Sequence, residues 1–212
     1  MTRIRPGTSA DVPALRTVCA LAYDENPLMR WVLPQAPTRA DACAAWLGPS
    51  LERYLAAGRV DVLLVDEQVV AVAAWRPPGA EAAGAVAATL PSPAGALRAL
   101  VGAARATHVL AALGGTAQLA PAEPGAYLNY LAVHPEHQSR GLGSRLLRHG
   151  LDALRGEPGT PWLATTDPRN VPFYERHGFS PAGTRTLGDD GPVLTVLHAP
   201  GPGCAPPPAP SA

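Results

Sequence analysis

The chain has 212 residues, enough for one domain or two small ones and long enough to bury a core. Its 17 basic and 17 acidic side chains cancel, so the charge balance offers no electrostatic footprint for nucleic acid or an anionic lipid surface. All the basic side chains are arginine, which excludes Schiff-base catalysis, pyridoxal attachment and a P-loop lysine.

In chain order, Met1 to Arg5 alternates weakly and stops at Pro6-Gly7, a short strand. Thr8 and Ser9 ahead of Asp11 make a capping-box-like start for a helix over VPALRTVCALAY. The segment Asp24-Glu25-Asn26-Pro27 breaks that helix. A second helix is expected from near Thr38, kinked at Pro49 and capped by Gly58. Arg59 to Asp66 and Gln68 to Trp75 are β-branched, apolar runs that read as an antiparallel hairpin near the centre of a sheet, ended by Pro77-Pro78. Residues 79–123 are Ala-rich and cut by Pro91, Pro93 and Gly114-Gly115 into two or three short helices, a helical insertion.

Residues 125–133 form a strand stopped by His134-Pro135, and SRLLRHGLDALR, after the glycines, has apolar residues at helical spacing. Trp162 to Thr166 reads as a strand, Pro168 to His177 as a short helix, and Phe179 to Thr186 with Val193 to His198 as a closing pair of strands. The whole is an α/β (α+β) domain over residues 1–198, a mixed sheet of six to seven strands flanked by helices. Residues 199–212, rich in Pro and poor in apolar side chains, are expected to be a disordered tail.

Cys19, Cys43 and Cys204 are odd in number and lie 24 and 161 residues apart, which fits neither a disulfide framework nor a metal site. They are expected to be free thiols, and no metal is expected. MTRIRPG lacks an apolar signal core, and no apolar run approaches the ~18 residues of a membrane span, so a cytoplasmic protein, monomeric or homodimeric, is expected.

The chemistry concentrates in two segments. Gln138, Ser139, Arg140, Gly141, Leu142, Gly143 and Ser144 lie between a strand end and a helix start, where free backbone N–H groups and the helix dipole make an anion site. Taken alone, the two glycines fit a tight strand-to-helix turn equally well. Downstream comes Asp167-Pro168-Arg169-Asn170-Val171-Pro172-Phe173-Tyr174-Glu175-Arg176-His177-Gly178-Phe179. In this order, with helix and strand between them, the two segments resemble the cofactor motifs of the GNAT superfamily of N-acyltransferases. VHPEHQSRGLGS, DPRNVPFYERHGF and AVAAWRPPGAEAAGAV further resemble the puromycin N-acetyltransferase branch of that superfamily.

The resemblance implies a GNAT fold with acetyl-CoA as acyl donor, its pyrophosphate on the Gln138–Ser144 loop and its pantetheine arm along Leu131, Ala132 and Val133, with Asn170 and Phe173 beside it. It implies direct transfer to an amine, with a backbone N–H, best placed at Val133, holding the oxyanion, and Tyr174 giving a proton to the departing thiolate. A phenol of reference pKa ~10 is protonated near neutrality and suits that role. The residues by themselves also fit an aromatic core pair for Tyr174 and Phe173, and a helix N-cap for Asn170.

Asp24, Glu25 and Asn26 lie where members of the superfamily line the amine pocket, and equally at a helix terminus. His134 and Glu136 border the loop as proton relays or plain surface residues. The resemblance departs at two places. Ala164, in WLATTDPRN, stands where the puromycin branch has a strand glutamate, so no base carries over, and Asn26 replaces that branch's acceptor-side tyrosine.

Deprotonating an amine at pH 7 costs roughly 1.4 kcal/mol for an α-amine and 4.6 kcal/mol for a lysine side chain. Without a base, a weakly basic small-molecule amine, such as an antibiotic or a biosynthetic intermediate acetylated for self-resistance or tailoring, is favoured. The alternatives are a protein or peptide N-acetyltransferase and an acyl-CoA-binding module without catalysis. The retained Tyr174 and Asn170 count against the module, and a helical insertion able to roof the site counts against a peptide acceptor.

Overall fold

A computed structural model describes residues 1–78 and 90–199. The start of the expected insertion, the tail from residue 200 onward and Cys204 lie outside the described residues. Among those described, seven strands form one sheet in the order β1-β2-β3-β4-β5-β7-β6. They are β1 (Thr2–Pro6), β2 (Arg59–Val65), β3 (Gln68–Arg76), β4 (Pro124–Val133), β5 (Thr160–Thr165), β6 (Ser180–Thr186) and β7 (Val193–His198). Neighbours are antiparallel except β4 and β5, which run parallel. A parallel pair needs a crossover, and α6 (Leu142–Ala153) supplies it.

Both faces of the sheet are covered. The central strands read as nearly unbroken apolar runs because alternate side chains enter two different cores. Val62, Val72 and Ala132 pack with α1 (Val12–Tyr23), α3 (Arg39–Ala57), α4 (Pro93–Val101) and α5 (Ala103–Gly114). Leu63, Ala71 and Ala73 pack with α6 and the short α7 (Val171–Glu175). Gly150 lets α6 lie close on β3: a Cβ there would come within 2.5 Å of Trp75 Nε1.

The structure adds an element that the sequence reading lacks. Asp24–Asn26 is a brief elbow, and the chain re-enters helix at once as α2 (Pro27–Val32). Asn26 caps it, its Oδ1 accepting from the Leu28 N–H at 2.9 Å, and Pro27 occupies the first turn, where its missing N–H costs nothing. Pro49 lies inside α3, which continues to Ala57. The expected Pro168–His177 helix is a 3-10 turn over Pro168–Asn170 followed by α7. Cys19 and Cys43 are buried free thiols. Among the described residues no helix is long and apolar enough to cross a membrane.

Candidate active site

The site begins with a gap in the sheet. β4 and β5 stay paired only as far as Leu128 opposite Leu163, while β4 runs on to Val133 with β3 alone beside it, Ala73 opposite Leu131 and Ala71 opposite Val133. Backbone groups two residues apart face the same edge of a strand, so Leu131 and Val133 both turn theirs toward the gap. Two side chains reach them there. Tyr23 Oη accepts the Leu131 N–H at 3.0 Å and donates to the Leu131 carbonyl at 3.1 Å, and Gln138 Nε2 donates to the Val133 carbonyl at 3.1 Å.

The loop after β4 builds an anion cradle. His134 Nδ1 caps its first turn by accepting the Glu136 N–H at 3.3 Å, so His134 has a structural task and lines neither cavity described below. Ser139 (φ +60°) and Gly141 (φ +72°) are left-handed, and the latter is the N-cap of α6. Alternation of this kind turns successive N–H groups inward, and the twelve-residue α6 adds its positive end. A Cβ on Gly141 would meet no protein atom within 4 Å, and one on Gly143 would meet only Val133 and Phe173, at 3.5 and 3.8 Å. Neither glycine is required by protein packing. The room beside them is open to a ligand.

A cavity of about 740 Å³ extends from this loop to the gap. Of the expected cofactor residues, 131–133, 138–139, 141–144, Asn170 and Phe173 line it, together with Tyr174. Arg140 does not. Asn170 occupies the N-cap position of α7, yet its side chain makes no capping bond, so the cap interpretation fails and the amide is available to the cavity. Asp167 does the local capping by accepting the Arg169 N–H at 3.0 Å, and it holds the Arg169 guanidinium at 2.7 Å. That hydrogen bond keeps the Asp167 carboxyl below the usual carboxylate range and leaves Arg169 as a fixed cation on the cavity wall.

A second cavity, about 490 Å³, lies across the gap, and the two share Tyr23, Asn26, Leu131, Asn170 and Tyr174. Tyr174 is 8% exposed, edge-on to Phe173 with ring centres 5.1 Å apart, and burial raises its phenol above the ordinary value. It belongs both to the core and to the junction of the cavities.

The acidic elbow has a different position from the one expected. Asp24 and Glu25 border the larger cavity with the loop, and only Asn26 reaches the second one. Arg39, 6% exposed, organises the elbow, donating through Nε to the Leu33 carbonyl at 2.9 Å and through Nη1 to the Asp24 carbonyl at 3.2 Å. Asn26 Oδ1 also accepts from Thr166 Oγ1 at 3.0 Å, which ties the elbow to the end of β5. Tyr23 and Arg39 escaped the sequence reading because they look like an apolar helix position and a surface charge. Arg169 stood inside the quoted motif without a role.

A cradle before a helix, a gap between parallel strands and two cavities meeting there define an acyltransferase-type architecture. The comparisons agree. A family model described as an acetyltransferase (GNAT) domain matches residues 100–181. The solved structure titled histone acetyltransferase HPA2 and related acetyltransferase from Corynebacterium glutamicum aligns over 98% of this chain and 99% of its own, at 27% identity and a TM-score of 0.70. A GNAT family acetyltransferase from Brucella melitensis, solved with acetyl-CoA, shares the fold at 19% identity and a TM-score of 0.50, over 93% of this chain and 88% of its own. A tRNA(Met) cytidine acetyltransferase of Aeropyrum pernix is 45% identical over 53 residues, a match spanning 24% of this chain and 7% of that relative's length. Residues 100–181 thus match a GNAT acetyltransferase domain, and the chain shares its fold with acetyltransferases of that kind.

Proposed function

We propose that the protein transfers an acetyl group from acetyl-CoA to the amine of a small molecule. One observation carries this reading: the cradle-bearing cavity and a second, aromatic-lined cavity share Leu131 and Tyr174 in their walls. Acetyl-CoA fits the larger cavity by its chemistry. The left-handed turn and the start of α6 suit its pyrophosphate, and the unpaired edge of β4 suits the amides of its pantetheine arm.

In the reaction, the free electron pair of a neutral amine attacks the thioester carbonyl, a C–N bond forms and the C–S bond breaks. Leu131 borders both cavities and Val133 only the larger, so the oxyanion donor is assigned to the Leu131 N–H rather than to Val133. The acyl oxygen takes over the hydrogen bond that Tyr23 accepts. Tyr174 hands its proton to the departing thiolate and is reprotonated from solvent, which in turn takes up the proton lost by the amine, so the enzyme is regenerated with no net change in protons. The resemblance to the puromycin branch, and Ala164 in the wall of the second cavity in place of a carboxylate, support a weakly basic small amine such as an antibiotic or a biosynthetic intermediate.

The test is release of free CoA thiol from acetyl-CoA with a panel of small amines, with lysine peptides alongside, and with the product's acetyl gain read by mass spectrometry. Turnover of small amines is expected. Acetylation of lysine peptides with no turnover of any small amine would assign the site to protein substrates instead.

A further inference from the structure

We infer that the acceptor is a primary amine carrying an aromatic ring and, remote from its nitrogen, an anionic group, held at that far end by Arg76. This inference rests on the acetyl-transfer reading and names the substrate class for the same site. The second cavity is walled by six aromatic side chains, Tyr23, Trp46, Tyr127, Tyr130, Trp162 and Tyr174. Aromatic rings lining much of a cavity wall select a flat, apolar body. Tyr127 and Trp162, with ring centres 4.4 Å apart, form one such wall.

The charges of this cavity are one-sided. Among the described residues lining it there is no Asp or Glu, and Arg76 is the charged residue present. Arg39, Arg59, Arg105 and Arg169 each meet a carboxylate. Arg76 meets none among the described residues. Its guanidinium lies over the Tyr127 ring, with Cζ 5.1 Å from the centroid, a contact with an aromatic face that uses none of its N–H donors, which suit a planar anion. A purely cationic acceptor, such as a lysine side chain or a polyamine, would find a like charge here and no counter-charge.

The spacing sets the shape of the acceptor. Arg76 stands opposite Tyr127 in the β3–β4 register, and the reaction end is at Leu131, four residues further along β4. At ~3.3 Å per residue the two ends are about 13 Å apart, less whatever the arginine side chain spans. An amine next to its own carboxylate, as in a simple α-amino acid, cannot reach both. A glycylamino group, whose amine has the low basicity of an α-amine, and an acid on opposite sides of a benzene ring can.

The probe pair is para-(glycylamino)benzoate against para-(glycylamino)benzamide, equal in shape and amine and different in charge, with N-butylglycinamide, whose amine is of the same kind, as the non-aromatic arm. The benzoate should show kcat/KM at least tenfold above the benzamide, and N-butylglycinamide should trail both. In Arg76→Gln the benzoate-to-benzamide ratio should fall below threefold, and Arg76→Lys should recover part of it. Because Arg76 is exposed, folding is a small concern, and CoA affinity by calorimetry checks the donor side in every variant. Equal turnover of the two probes, or a ratio that Arg76→Gln leaves intact, would overturn the inference while acetyl transfer stands. Failure of the wild-type protein to bind CoA would overturn the transfer reading with it.

Discussion

The hydroxyl of Tyr23 closes both backbone groups of Leu131, taking its N–H at 3.0 Å and giving its own proton to the Leu131 carbonyl at 3.1 Å. One α1 side chain thus fills the place on β4 that a neighbouring strand would occupy, at the meeting point of the two cavities. An acyl group that uses the Leu131 N–H competes with this phenol.

Tyr23→Phe removes the competitor. Leaving the Leu131 N–H and carbonyl without partners should cost about 1–3 kcal/mol of stability, because unpaired groups in a largely buried place lose their solvation. The same change should tighten acetyl-CoA binding several-fold, since the acyl oxygen no longer has to displace the phenol from the Leu131 N–H. Denaturant unfolding and calorimetry measure the two effects. Weakened acetyl-CoA binding in a folded variant would show that Tyr23 holds the donor instead of yielding to it.

Gly141→Ala places a Cβ on a residue at φ +72°. The left-handed penalty of ~1–2 kcal/mol is met either by lost stability or by a shift of the backbone that spoils the cradle. Because a Cβ there meets no protein atom within 4 Å, a steric effect on ligand cannot be attributed to crowding within the protein. CoA affinity by calorimetry should fall about tenfold, ~1.4 kcal/mol. Full affinity at a reduced melting temperature would make Gly141 a folding residue only.

Tyr174→Phe keeps both aromatic contacts, with Phe173 and Phe179, and loses only the hydroxyl. CoA affinity should hold while kcat drops by roughly 10²- to 10⁴-fold, the usual worth of general-acid help. A kcat within twofold of wild type, with chemistry shown to be rate-limiting, would return Tyr174 to a packing role.

The pH profile follows from the side chains around the second cavity. Among the described residues no carboxylate lines it, and burial holds the phenols of Tyr23 and Tyr174 above the ordinary tyrosine value, so both are protonated and neither can act as a base near neutrality. The free amine fraction then governs the rate. Log kcat/KM should climb about one unit per pH unit below the pKa of the acceptor amine and level off above it, with no falling limb from Tyr174 before pH ~10. Repeating the profile with amines of different basicity should move the inflection with the amine. An inflection that stays put would reveal a side-chain base.

The local signals in the sequence carried well where the chemistry is local. Gly141 and Gly143 ahead of a helical repeat, and Asn170, Phe173 and Tyr174 within one short segment, are compatible with only a few backbone paths, and all of them line the larger cavity. The short, β-branched apolar runs of β2 and β3 told strand from helix because strands buried on both faces need apolar side chains at successive positions. The Asn26-Pro27 pair, read as a break, is also the start of α2, since a cap and a first-turn proline look the same whether a helix is ending or beginning.

What only the tertiary structure decided are relationships between distant segments. The gap between β4 and β5 arises where their pairing stops at Leu128 and Leu163, a register that no pattern within either strand encodes. Tyr23 finds Leu131 across 108 positions of sequence, Arg39 folds back on the elbow at Asp24 and Glu25, and the six rings of the second cavity come from α1, α3, α7, β4 and β5. Side-chain periodicity specifies which face a residue turns toward the core. Which distant group it meets there is settled by how the helices and the sheet pack as solid bodies, and that packing put the acidic elbow beside the cradle and left Arg76 as the charge at the far end of the aromatic cavity.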